Sequence, residues 1–256
     1  MTRWLAILVL GFVVGASTIM LADPGTSERR VVSPAASATP ASGPTRIDGK
    51  HIHGVKALDI VAESEPDKPL DAATRGALQA QLTEARTFAV RFPTVADATA
   101  AGYFLAGGFG PGSGAHYVSI GGMTGASLDV SNPLALLYDG TSPTSQIVGL
   151  MYYGMGEAVP EGFAGPNDHW HRHSNVCVKF NGPNGIEIPF PADADVTAKM
   201  CDGAKGTLLK ITGSMVHAWV VPSWESPLGV FSHENPNLRC ADGTYDTDKL
   251  GFCQGT

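Results

Sequence analysis

The densest chemistry in the chain lies in Pro166-Asn167-Asp168-His169-Trp170-His171-Arg172-His173, where three histidines alternate with two large residues. In an extended segment the side-chain period of two puts His169, His171 and His173 on one face, with Trp170 and Arg172 on the other. On a helix only His169 and His173 would share a face. The Pro-Asn-Asp before the run and the Val176/Val178/Phe180 alternation after it favour a strand. Neutral imidazoles bind Zn, Cu, Fe and Ni, and a β-face can present two or three of them to one ion. The expectation is therefore one transition-metal ion, zinc or copper, held by His169, His171 and His173.

Such a site needs a further ligand from elsewhere in the chain. His217 is the first candidate, because Met215, His217 and Trp219 share one face of a second strand. His116 follows, in Gly112-Ser113-Gly114-Ala115-His116-Tyr117, where glycines let backbone pack close to a site. His51 and His53 read as solvated, or as an arm folding over the site. His233, in Phe231-Ser232-His233-Glu234-Asn235-Pro236, reads as a turn residue. Met123, Met151, Met155, Met200 and Met215 read as core, with Met215 or Met155 the alternative soft ligand for copper. Glu157 and Glu161 flank the histidine run as exposed charge, general base or carboxylate ligand. Asp168 either orients an imidazole or caps the local turn. The competing reading of the whole constellation is a set of buried histidines satisfied by carboxylates and backbone.

The elements that must position these groups are also legible. Asp71 to Phe92 has helical periodicity through Leu78, Leu82, Ala85 and Ala89, with Asp71 as cap and Pro93 as stop. A short second helix runs from Thr94 to Ala101. Beyond Gly102 the pattern turns to strands: 115–120, 134–138, 146–153, 175–180, 207–211 and 215–221. The second and third form a hairpin across Asp139-Gly140-Thr141-Ser142-Pro143. The fold class is α+β, mainly β: N-terminal helices packed on an antiparallel sheet or small barrel. Scarce charge (16%) with 31 Gly and 18 Pro agrees with a turn-rich domain.

The N-terminus suggests export. Arg3 precedes an uncharged run from Trp4 to Leu21, which reads as a signal peptide or a membrane anchor. Residues 23–50 form a Pro/Ala/Ser/Thr-rich linker too polar to fold, and residues 51–256 a single globular domain. The expected location is extracytoplasmic, secreted or anchored to the membrane by residues 1–22, with membrane contact through that segment alone. Four cysteines, Cys177, Cys201, Cys240 and Cys253, agree with an oxidising compartment. The pairing Cys177–Cys201 and Cys240–Cys253 is favoured because each closes a short loop, with Cys177 as a free thiolate ligand the alternative. A net charge of −7 without a basic cluster excludes nucleic acid as partner. G-x-S-x-G, H-E-x-x-H and P-loop patterns are all absent.

From 71 to 236 the chain resembles a group of secreted bacterial proteins of uncharacterised function. The resemblance rests on Gly-Ala-His-Tyr (114–117), Val-Gly-Leu-Met-Tyr-Tyr (148–153), the His-Trp-His-Arg-His run and His-Ala-Trp-Val (217–220). It implies no reaction. His171 and His173 with a later His217 also resemble the H-x-H and distant His of cupins, which implies a small β-barrel with the ion between facing strands. The Glu that follows the cupin H-x-H is absent, and Cys177 stands near its place. Three functions are expected. The first is an exported metal-binding protein. The second is a metalloenzyme, hydrolase- or oxygenase-like, acting on a small-molecule ligand. The third is a metal-free interaction module.

Overall fold

The computed structural model describes the backbone of 46–48 and residues 67–124, 127–155, 159–181, 185–246 and 250–253. The expectations for residues 1–22, for most of the 23–50 linker, and for His51, His53 and Glu157 lie outside the described residues.

A first strand, β1 (Arg46–Asp48), precedes helix α1 (Ala72–Ala89). The Asp71 carboxylate caps α1, accepting from the Thr74 amide at 2.9 Å and its hydroxyl at 2.8 Å. This satisfies a donor that every helix start leaves open. Ala85 and Ala89 are buried, so α1 approaches the sheet on small residues, with Leu78, Leu82 and Phe88 packed beside them. Helix α2 (Val95–Ala100) opens with a reciprocal capping box between Thr94 and Asp97.

The strands that follow are β2 (Phe104–Gly110), β3 (Gly114–Val118), β4 (Met123–Thr124), β5 (Ala135–Tyr138), β6 (Ile147–Gly154), β7 (His169–His171) and β8 (Ser174–Phe180). Then come β9 (Ile186–Glu187), the short helix α3 (Ala198–Gly203), β10 (Thr207–Ile211) and β11 (Ser214–Ala218). The larger sheet runs β1-β7-β11-β6-β5-β3-β2, with β4 added in parallel on β6. The smaller runs β10-β8-β9. Apart from β1/β7 and β4/β6 the pairs are antiparallel. The expected 134–153 hairpin is β5/β6, its turn fastened by the Gln146 amide donating to Asp139 Oδ1 at 2.7 Å. Helices on two sheets make an α+β fold, and the sheets do not close into a barrel.

The period of two divides the large sheet between two tasks. On β6, Val148, Leu150 and Tyr152 are fully buried in the helix-side core, while Met151 and Tyr153 line a cavity on the other side. On β8, Val176, Val178 and Phe180 face that cavity, and Cys177 faces a small second core with Ala194, Val196 and Cys201. The two sheets thus lie on opposite sides of one cavity.

Both favoured disulfides form, Cys177–Cys201 and Cys240–Cys253, and no described cysteine is free. Cys177 is therefore not a thiolate ligand. A second expectation is corrected. Among the described residues no helix is long and apolar enough to cross a membrane. The longest, α1, carries Arg75, Glu84 and Arg86. The transmembrane anchor, the membrane contact through the N-terminal segment, and the location inferred from it are withdrawn.

Candidate metal centre

Strand β7 and the residues after it deliver His171 and His173. The His173 amide donates to Thr212 Oγ1 at 3.0 Å, and its carbonyl accepts from the Thr212 amide at 2.9 Å. Two residues later Asn175 takes a left-handed φ of 55°, where the chain passes from the large sheet to the small one. Asn tolerates that conformation better than most side chains. His217 comes from β11, whose register sets Met215 opposite His171 and His217 opposite Met151.

His116 arrives from β3, three strands away from β11. In a flat sheet that separation is about 14 Å, yet the His116 and His217 ring centroids are 5.7 Å apart. The sheet must therefore coil, and register shifts at Leu105/Phe109 and Leu137/Tyr138 supply the local bends. Gly114, at φ +75°, lets β3 begin where a Cβ would lie 2.8 Å from the Tyr138 carbonyl oxygen.

The fifth histidine is His233, 1% exposed, which the sequence reading had as a turn residue. Its loop is a buried polar structure fastened from inside. The Trp219 indole donates to the Ser232 carbonyl at 2.8 Å, the Ser226 hydroxyl to the Glu234 carbonyl at 3.0 Å, and the Asn235 amide to the Trp224 carbonyl at 2.8 Å. The signal for this was the apolar pair Val230-Phe231, since Phe231 is buried and carries the residues after it inward.

Around His171 the ring centroids lie at 4.2 Å (His233), 5.1 Å (His173) and 5.2 Å (His217). His171, His173 and His233 each offer a nitrogen within 4.8 Å of the others. Asp193, itself buried, places Oδ1 3.1 Å from His173 Nδ1 and 3.7 Å from His233 Nε2. A carboxylate there fixes imidazole orientation. His217 Nδ1 lies 2.6 Å from the His233 carbonyl oxygen. A carbonyl can only accept, so Nδ1 carries the proton and Nε2 keeps its lone pair. That Nε2 is buried and has no hydrogen-bond partner among the described residues.

Burial keeps His217 and His116 in the form a metal requires. Burial, followed by the nearby His116, pushes His217 down to about 3. Burial, followed by the nearby His173, pushes His116 down to about 4. Both are neutral at pH 7, with nitrogen lone pairs available.

Other expected residues are placed elsewhere. His169 turns its Nε2 to Asp67 Oδ1 at 3.2 Å, so of the three alternating histidines only His171 and His173 enter the cluster. Among the described residues Asp168 reaches no imidazole nitrogen within hydrogen-bond distance. It accepts from the Trp170 indole at 2.9 Å and the Phe163 amide at 3.0 Å, and burial raises it to about 7. Glu161 is exposed and is not among the residues that line the cavity.

The cluster forms one wall of the cavity between the sheets, about 420 Å³ in volume. His116, His173, His217, His233 and Asp193 face it on that side, and the remaining walls are mostly aliphatic and aromatic. Phe252 closes one side by lying on Gly107 and Gly108, where any Cβ would meet its ring at 2.4–2.8 Å. Cys253 beside it is fastened by its disulfide and by its amide, which donates to the Phe109 carbonyl at 2.9 Å. Comparison of the chain with protein-family models, curated proteins and solved structures gives no match, and the site is read from its own geometry.

Proposed function

We propose that this protein binds one transition-metal ion, zinc or copper, through His171, His173 and His233, with His217 as the fourth nitrogen donor. The observation that carries the reading is the set of three buried histidines whose ring nitrogens all lie within 4.8 Å of one another. A four-coordinate ion at 2.0–2.1 Å from each nitrogen sets N···N at roughly 3.4 Å, so the rings would close in by about 1 Å. The Nδ1–H of His217 bonded to a carbonyl, and Asp193 beside His173, are the outer contacts that metal-bound histidines use. His116 is the next donor outward.

The test is elemental analysis of untagged protein reconstituted separately with Zn²⁺ and Cu²⁺, set beside a His171→Ala/His233→Ala variant. The expected result is one ion per chain in the wild type and none in the variant. A folded wild type that retains neither ion overturns the reading.

A second reading, a metalloenzyme, is favoured by the cavity. An ion held by three histidines keeps a coordination position toward that space.

A further inference from the structure

The cavity has a chemical character of its own. Its body is lined by residues such as Ala106, Val118, Leu134, Met151, Val178 and Ile188. Its mouth carries three large apolar side chains left in water: Ile120 (51% exposed), Met155 (60%) and Phe180 (67%). Large apolar side chains gathered at an opening, rather than scattered singly, mark a place where an apolar body enters.

Charge narrows the occupant. No Lys or Arg among the described residues lines the cavity, and its acid is Asp193. In the metal-free protein a carboxylate or phosphate placed there would lose its hydration without gaining a cation. The polar wall instead presents the buried lone pair of His217 Nε2, an acceptor without a donor among the described residues. An unmet buried acceptor is costly, and a ligand O–H would satisfy it.

We propose that this cavity binds an uncharged, apolar-bodied molecule bearing one hydroxyl, of the size of a substituted phenol, with the hydroxyl turned to the histidine wall. The inference rests on the metal reading only for where the hydroxyl ends: on His217 Nε2 in the metal-free protein, and at the ion in the loaded one where three histidines hold it and leave a position open. The volume is within the range of small-molecule sites.

The experiment is calorimetric titration of the full chain, metal-free and metal-loaded, with 4-propylphenol and with 4-propylbenzoate. The phenol should bind one per chain in both forms, and the benzoate should bind the metal-free form at least tenfold more weakly. Two cavity-filling variants, Val178→Phe and Leu209→Phe, should each weaken phenol binding tenfold or more while keeping the wild-type circular dichroism. Leu209 is half-buried, so its variant decides the matter if Val178→Phe does not fold. The proposal is overturned if the phenol fails to bind, if the benzoate binds the metal-free form equally well, or if folded Leu209→Phe binds the phenol unchanged. The metal reading fails separately, by elemental analysis. Phenol binding to protein that retains no ion leaves the present inference standing.

Discussion

Acidifying the metal-free protein should destabilise it in a way that one residue controls. In the unfolded chain His217 takes up a proton near pH 6.5, whereas in the fold burial holds it to about 3. Between those values the unfolded state binds a proton that the native state refuses. The contribution of His217 is therefore unchanged above pH 6.5 and falls as the pH drops toward 3. One proton gives a slope of about 1 kcal/mol per pH unit, or about 2 kcal/mol between pH 6.5 and 4.5. His116 adds a second proton over a shorter window, down to about 4. Asp168 opposes both. Its carboxyl is raised to about 7, so its contribution is fully present below its unfolded value near 3.9 and is lost as the pH rises through 7. These partly cancelling terms make the wild-type curve alone a poor test, and a difference isolates the histidine. His217→Asn keeps an amide donor for the His233 carbonyl and removes the titration. Urea unfolding free energies of metal-free wild type and His217→Asn, measured from pH 6.5 to 4.5, should give a variant slope shallower by about 1 kcal/mol per pH unit. Parallel plots for the two proteins would refute the reasoning, because His217 would then take up its proton equally in both states.

Three further outcomes are expected. Replacing Cys177 and Cys201 with alanine opens a loop between residues 24 apart and should lower the urea-derived stability by about 3 kcal/mol. An unchanged denaturation midpoint would count against that loop estimate. Gly162→Ala sets a Cβ 1.8 Å from Asp168 Oδ2 and 2.7 Å from Trp170 Nε1. It should cost about 1–3 kcal/mol and alter the fluorescence of the buried Trp170. Asp193→Asn keeps the shape but removes the charge beside His173 and His233, and should weaken metal affinity about 10–100-fold by competition titration. Affinity equal to wild type would mean that Asp193 orients neither ring.

Much of the framework was legible because it is local. The cap and period of α1, the β5/β6 hairpin and both short-loop disulfides are decided within one or two dozen residues. The alternation of His171 and His173 belongs to the same class. What failed depends on distant chain. His169 has the right parity, but it begins its strand beside Asp67, a residue outside the pattern, and pairs with it. Asp193 sits in a Pro-Ala-Asp-Ala-Asp run that resembles solvated loop, and only the small sheet brings it to His173. His233 was read from its turn-like neighbours, although Ser232 and Asn235 are buried and bonded within the domain. The glycines of β2 carry no strand pattern of their own, because the ring that needs their missing side chains lies at Phe252.

The order of the donors along the chain sets when the centre can come into being. During synthesis His116, His171, His173 and His217 emerge first. The loop carrying His233 follows, and the disulfide-held tail that lays Phe252 across Gly107 and Gly108 comes after it. A nascent chain halted before Phe231 would have most of its sheet, but neither the third clustered nitrogen nor the closing wall. An ion held through His233 would therefore report that translation has passed that residue, and a molecule held in the closed cavity would report that the tail carrying Phe252 has reached its place.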